Sequence, residues 1–409
     1  MDKILIIGAG DFQLPLVQKA SESYEVLLAA PVVSEAFEPY ISGRLLTDVR
    51  DNEAILRYAR DNHICGVTTD QTDIAVRAVA YVAQEMGLPG IGYETGRLFT
   101  DKNLMREKMS ALGIPLLPYR TVTSLPDALA YYDEIGGGNV IIKPLDTQGS
   151  RGVQICRSAG ELADKYAEAA RWSSGGEVIV ERFATGREFV VEGLALDYEF
   201  RNLCIGDTLY FDLPDAFAAK SRIFPTTADD ALAQRVLDLN ERIITGFGLR
   251  QGITHSEFIM DGDEIYLMET AARGGGVFIS SDLIHYSCGL ETEQFLLDIA
   301  TGRQKEIPEI LPQQCVCGYM AFYIPTGKVI RVDGVSEVLS LPYVHRNQLD
   351  KLRVGVVNKE GHTDKTSRLC LILTAPDRET YEARAAQIRK TLQVDVETAD
   401  GSVCPLIWE

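Results

Sequence analysis

Glu257 and Glu269 lie twelve residues apart in the run THSEFIMDGDEIYLME. Asp261-Gly262-Asp263 marks a tight turn inside it, so the two acids are expected to face each other on adjacent strands of a hairpin. No basic residue separates them, and two facing carboxylates are costly unless a cation neutralises both. Hard oxygen donors of this kind suit Mg²⁺ with bound phosphates. The competing reading is two exposed strand acids without chemistry. Arg273 follows Glu269 by four residues and opens the run Arg-Gly-Gly-Gly, where a fixed guanidinium and bare backbone can approach an anion beside that metal.

A second anion-binding candidate is IIKPLDTQGSRGVQI, which puts Lys143 at a strand end and then a loop through Gln148, Gly149, Ser150, Arg151 and Gly152. Loop amides can close over phosphates while the ammonium supplies point charge. The glycine spacing is not that of a Walker A loop, and a plain hairpin turn competes with phosphate binding. Gly8-Ala9-Gly10 suggests a dinucleotide fingerprint, but Gln13 stands at the third glycine position and the second strand ends in Pro31 without an acid. These glycines read as a tight strand-to-helix turn. A nicotinamide-dependent dehydrogenase, needing neither Glu257 nor Glu269, is the alternative from another class. His255 is expected to share Glu257's face only through a register slip; His285 and Tyr286 are candidates for substrate contact.

The elements that must position these groups follow α/β punctuation. Strand-like runs at 3–7, 25–30 and 66–69 alternate with helical stretches at 14–20, 51–62 and 72–86, which predicts a parallel sheet with crossover helices over residues 1–97. A capped helix at 100–113 then opens a second domain, 98–305, containing a compact sub-block at 119–183 and the 254–269 hairpin. The tail, 306–409, holds β-like runs and one helix and reads as a small α+β domain.

Forty Lys and Arg against 59 Asp and Glu give a net charge of −19, so no basic field attracts nucleic acid. Any phosphate site must be built locally. With 46% hydrophobic and 24% charged residues, the composition is that of a globular chain rather than a disordered or membrane one. The eight cysteines are scattered and no apolar run approaches 18 residues, which together fit a reducing cytoplasm and no membrane partner.

Taken in order, Asp101-Lys102, Ile142-Lys143-Pro144, the loop 148–152, Val180-Glu181-Arg182-Phe183, Gly186-Arg187-Glu188, His255-Ser256-Glu257-Phe258 and Glu269 to Gly276 resemble the ATP-grasp superfamily. The resemblance covers nearly the whole chain and is nearest to carboxylate-amine ligases of the L-amino-acid ligase type, with a single module where a carbamoyl-phosphate synthase large chain has two. It implies an α/β fold with a Rossmann-like N-terminal domain, a two-lobed nucleotide-binding domain with a mobile lid, and a small C-terminal α+β domain.

Carried over by position, the resemblance implies that Lys102 and Lys143 contact ATP phosphates and that Gln148, Gly149, Ser150 and Gly152 belong to the lid loop. Glu181, Arg182 and Phe183 match the adenine-reading hinge, and Glu188 the acid that accepts ribose hydroxyls. Glu257 and Glu269 match the Mg²⁺ (or Mn²⁺) ligands. Arg273 matches the arginine that meets the substrate carboxylate and transferred phosphoryl, making it and Lys143 the catalytic pair. Two positions depart from the pattern: Ala271 stands where the family carries a metal-binding Asn, and Lys220 lies in AFAAKSRIFP, where the amino-acid ligase type often has a histidine before the proline.

The implied reaction joins a small-molecule carboxylate to an amine at the expense of ATP, through an acyl phosphate, in a homodimer. The alternatives are another ATP-grasp enzyme, of the purine-biosynthesis or carboxyphosphate-forming type, and a non-catalytic nucleotide-binding subunit.

Overall fold

The run KILII forms strand Lys3–Ile7, which pairs in parallel with Glu25–Ala30 and Gly66–Thr68, while Gly43–Leu46 extends the sheet beyond Glu25–Ala30. Ile4 to Ile7 are fully buried because both faces are covered. Ile4 and Ile6 pack with helices Leu14–Ser21 and Thr292–Ala300, whereas Leu5 and Ile7 pack with Asn52–Asn62 and Val76–Met86. Gly87, at φ +66°, ends the last of these helices in the left-handed conformation that glycine adopts without cost. The computed structural model describes residues 1–145, 152–173, 175–213, 218–359 and 367–409.

Residues 119–182 build a separate antiparallel sheet of four strands, in the order Tyr119–Val122, Val178–Arg182, Val140–Pro144, Gln154–Cys156. Helices Leu125–Glu134 and Ala159–Trp172 cover it with their own apolar cluster, including Tyr131, Leu162 and Ala169.

The floor of the molecule is an eight-stranded sheet. It runs Glu264–Ala271, Gly252–Asp261, Arg187–Leu196, Glu199–Tyr210, Ala219–Phe224, Val316–Tyr323, Arg368–Ala375, Val344–Asn347. Phe189 and Val191 point to one face, where the amphipathic helix Asp230–Phe247 buries Val236, Ile243, Ile244 and Phe247 against them. The opposite face is left for polar groups at 188, 192, 222, 255, 257 and 269.

The tail does not form a sheet system of its own throughout. Its strand Val316–Tyr323 pairs with Ala219–Phe224, residue Met320 against Ser221, and thereby covers the floor sheet's edge. A third four-stranded sheet, built on Gly327–Asp333 and Gln393–Glu397, and helix Arg378–Thr391 complete this region around Val329, Val338, Ile388 and Val396. Among the described residues, no helix is long and apolar enough to cross a membrane.

Candidate functional site

Hairpin register decides where the carboxylates go. Glu257 pairs directly with Glu269 and His255 with Ala271 across strands Gly252–Asp261 and Glu264–Ala271. Side chains two apart on a strand share a face, so His255 and Glu257 lie side by side without any slip, correcting the expectation from sequence. His255 Nε2 is 3.1 Å from Glu257 Oε1. Its Nδ1 contacts Glu192, which is fully buried and sits opposite it on strand Arg187–Leu196. Burial works against the imidazolium, but Glu192 outweighs it and raises the histidine pKa. From the other flank, Arg222 donates to Glu257 through Nη2, and its Nη1 lies 2.9 Å from His255 Nε2. Burial opposes the Glu257 carboxylate, yet Arg222 and His255 hold its pKa far below the usual range. Glu188, on the same face, accepts from Tyr210 Oη at 2.7 Å, and burial raises its carboxyl.

Lys143 ends strand Val140–Pro144 and reaches Glu181 Oε1 at 2.6 Å, while Arg106 Nε donates to Oε2 at 2.9 Å. One carboxylate therefore serves two buried cations. Burial pushes Glu181 up, but Lys143 and Arg106 together bring it down to about 2. Lys143 is left on the losing side: burial lowers its pKa, Arg106 adds repulsion, and Glu181 only partly compensates. An anion arriving at Lys143 would complete its neutralisation, which is what a phosphate site requires.

Because the Glu181 carboxyl is depressed from its usual value near 4.5, its stabilisation is present above that value and is lost as pH falls towards about 2. Urea midpoints are expected to fall between pH 4.5 and pH 3 by less in Glu181→Gln than in the parent chain. Equal slopes would show that the pair is not what titrates.

Lys102 opens helix Lys102–Ala111, which Asp101 caps by accepting from the amides of Asn103 and Leu104. Its Nζ lies 3.9 Å from Glu269 Oε1. Arg273 makes a bidentate pair with Asp73, at 2.7 Å and 2.8 Å, and its Nη1 donates to the Gly274 carbonyl. Asp73 comes from the N-terminal sheet system, which thus reaches the hairpin.

Within the glycine run, space demands glycine at 275 but not at 276. A Cβ on Gly275 would stand 2.7 Å from Glu192 Oε1 and 2.9 Å from His255 Nδ1, whereas one on Gly276 meets nothing within 4 Å. Gly275 N also donates to Glu192 Oε2 at 3.0 Å. Gly275→Ala is expected to cost about 1–3 kcal/mol in urea unfolding, with Gly276→Ala within about 0.5 kcal/mol of the parent; equal losses would remove the steric account.

The structure thus gathers Lys102, Lys143, Glu181, Glu188, Glu257, Glu269 and Arg273 on one side of the floor sheet. Arg182 points away, pairing with Asp261 at 3.1 Å, and its amide donates to Pro118 as that of Phe183 does to Asn139. Gly152 adopts φ +71° against the Trp172 ring; Gln148, Gly149 and Ser150 lie outside the described residues. His285 pairs with Glu291 at 2.8 Å near the surface, and Tyr286 packs on His345 with ring centres 4.6 Å apart. Lys220 contacts Glu409 rather than the carboxylate face. Sequence reasoning missed Arg222, Glu192 and Asp73; the alternation of Glu188 with Glu192 was the available signal for one of them. Two facing carboxylates, Glu257 and Glu269, are the hard oxygen donors a divalent cation takes, and a cation there would need further oxygens from elsewhere to complete its shell.

Residues 137–282 match the family model of the ATP-grasp domain. The chain's architecture is the ATP-grasp fold. Over 287 residues, 64% of this chain, it is 25% identical to the alanine–anticapsin ligase of Bacillus subtilis. Over 188 residues, 44% of this chain, it is 31% identical to the D-alanine–D-alanine ligase of an Anaeromyxobacter strain. It spans 59% and 58% of the lengths of these two relatives and 42% of a third, from Sinorhizobium fredii, less than two thirds in each case. The L-amino acid ligase of Bacillus licheniformis superposes with a TM-score of 0.81 at 20% identity, covering 96% of this chain and 98% of that one.

Proposed function

We propose that the chain is an ATP-dependent carboxylate-amine ligase that forms an amide bond and releases ADP and phosphate. The observation that carries this reading is the direct pairing of Glu257 with Glu269, with Lys102 on the second of them. A Mg²⁺ or Mn²⁺ ion held by these two glutamates would supply charge neutralisation to the phosphate oxygens. Lys102 and Lys143 bind those phosphates, Glu188 takes the ribose hydroxyls, residues 181–183 border the base, and residues 148–152 belong to the lid loop. In this reading residues 98–305 bind the nucleotide, flanked by 1–97 and 306–409.

Arg273 orients the acid, whose carboxylate oxygen attacks the γ-phosphorus as the bond to the β-phosphate oxygen breaks. ADP leaves and an acyl phosphate remains. The amine then attacks the acyl carbon, the carbon–oxygen bond breaks with loss of phosphate, and the nitrogen gives up its proton. The protein's work in phosphoryl transfer is mainly position and charge, for which the site has two lysines and an arginine. Small-molecule acids and amines as partners, a homodimer and a cytoplasmic setting belong to the same reading, supported by the ligases the chain resembles.

The test is phosphate release from Mg·ATP with pooled amino acids, amines and carboxylic acids, followed by mass spectrometry. Release that requires both an acid and an amine, with a product lighter by one water than their sum, is expected. Release independent of the amine overturns it.

A further inference from the structure

Arg222 is a permanent cation against Glu257 that the reaction above does not use. It projects from strand Ala219–Phe224, with its side chain 12% exposed. Nη2 donates to Glu257 Oε1, the oxygen that His255 also approaches, and Nη1 lies 2.9 Å from His255 Nε2. Its Nε is buried without a partner among the described residues. The guanidinium is braced from behind, since His255 is held by Glu192 and Glu192 by the Gly275 amide.

Two consequences follow for a metal. One oxygen of Glu257 is already neutralised from inside the protein, by a cation that does not lose its proton at any working pH. A second divalent ion would also need a further donor, and the place directly across from His255 is Ala271, a methyl group 2% exposed. Arginine and a second dication would crowd the same oxygen with like charge.

We propose that Arg222 is a built-in cation that takes the place of a second metal ion, so that the nucleotide is bound with a single divalent ion between Glu257 and Glu269. Arg222 is a positioning residue: it fixes Glu257 and sets the metal count. The inference rests on the ATP reading above.

The experiment is Mn²⁺ titration, followed by electron paramagnetic resonance of the free ion, on full-length protein saturated with a non-hydrolysable β,γ-imido analogue of ATP. Analogue binding is scored first by calorimetry. The parent chain, Arg222→Lys and Ala271→Asn are each expected to take up about one ion per bound nucleotide, and the double variant Arg222→Gln with Ala271→Asn about two. Two ions in the parent or in Ala271→Asn alone, or one in a folded double variant, overturns the proposal. Should the double variant not fold, the counts for the parent and Ala271→Asn decide. Failure to bind the analogue at all is a different result, and overturns the ATP reading itself.

Discussion

Arg273→Ala is expected to lower turnover by about 10²–10³-fold while leaving nucleotide affinity within about threefold. Arg273 follows strand Glu264–Ala271 and is oriented by Asp73 through two hydrogen bonds. Its cationic form is favoured further by Glu269 and Glu192. In the proposed reaction a guanidinium placed there meets the charge that develops on the acid and the γ-phosphoryl in the transition state, more than it adds to ground-state binding of the nucleotide. Asp73→Asn should give a smaller loss in turnover, because the guanidinium stays but loses its fixed direction. Steady-state kinetics beside analogue titration separates the two quantities. Complete loss of nucleotide binding in Arg273→Ala would contradict the assignment.

Glu181→Ala is expected to destabilise the fold by about 3–5 kcal/mol, since it strands Lys143 and Arg106 in a buried site without their shared counter-ion. Both cations and the carboxylate are at most 9% exposed, so solvent cannot take over the role. Equilibrium unfolding in urea reads the loss, and a cost below about 1 kcal/mol would mean that the pair behaves like a surface bridge.

Local chemistry was the legible part of this chain. The Asp261-Gly262-Asp263 turn made the hairpin readable, but the pairing of Glu257 with Glu269 also needs a one-residue bulge at Met268, without which Glu257 would face Met268. The helix stop at Gly87 and the strand run at 139–145 were likewise readable, because each depends on a few neighbouring residues. Contacts between distant segments left no such trace. Asp73 and Arg273 are separated by two hundred positions, and nothing in the periodicity of either segment names the other. Arg222 was obscured by Lys220, two places away, which carries the same charge but sits at a bulge of the strand and pairs with Glu409. The strands of the tail were visible as apolar runs, but their attachment to Ala219–Phe224 is a choice of sheet edge, which strand patterning does not encode.

Continuity of the eight-stranded sheet has a mechanical consequence. A displacement of the C-terminal strands is transmitted through main-chain hydrogen bonds to the hairpin that carries Glu257 and Glu269, so these parts move as one rigid body. The sheet of residues 119–182 shares no strand with it. Lys143 belongs to the small sheet and Lys102 does not. The spacing of the two ammonium groups is therefore set by side-chain contacts between helix Lys102–Ala111 and that sheet, among them the Arg106–Glu181 ion pair and the hydrogen bond from Thr121 to Asn103.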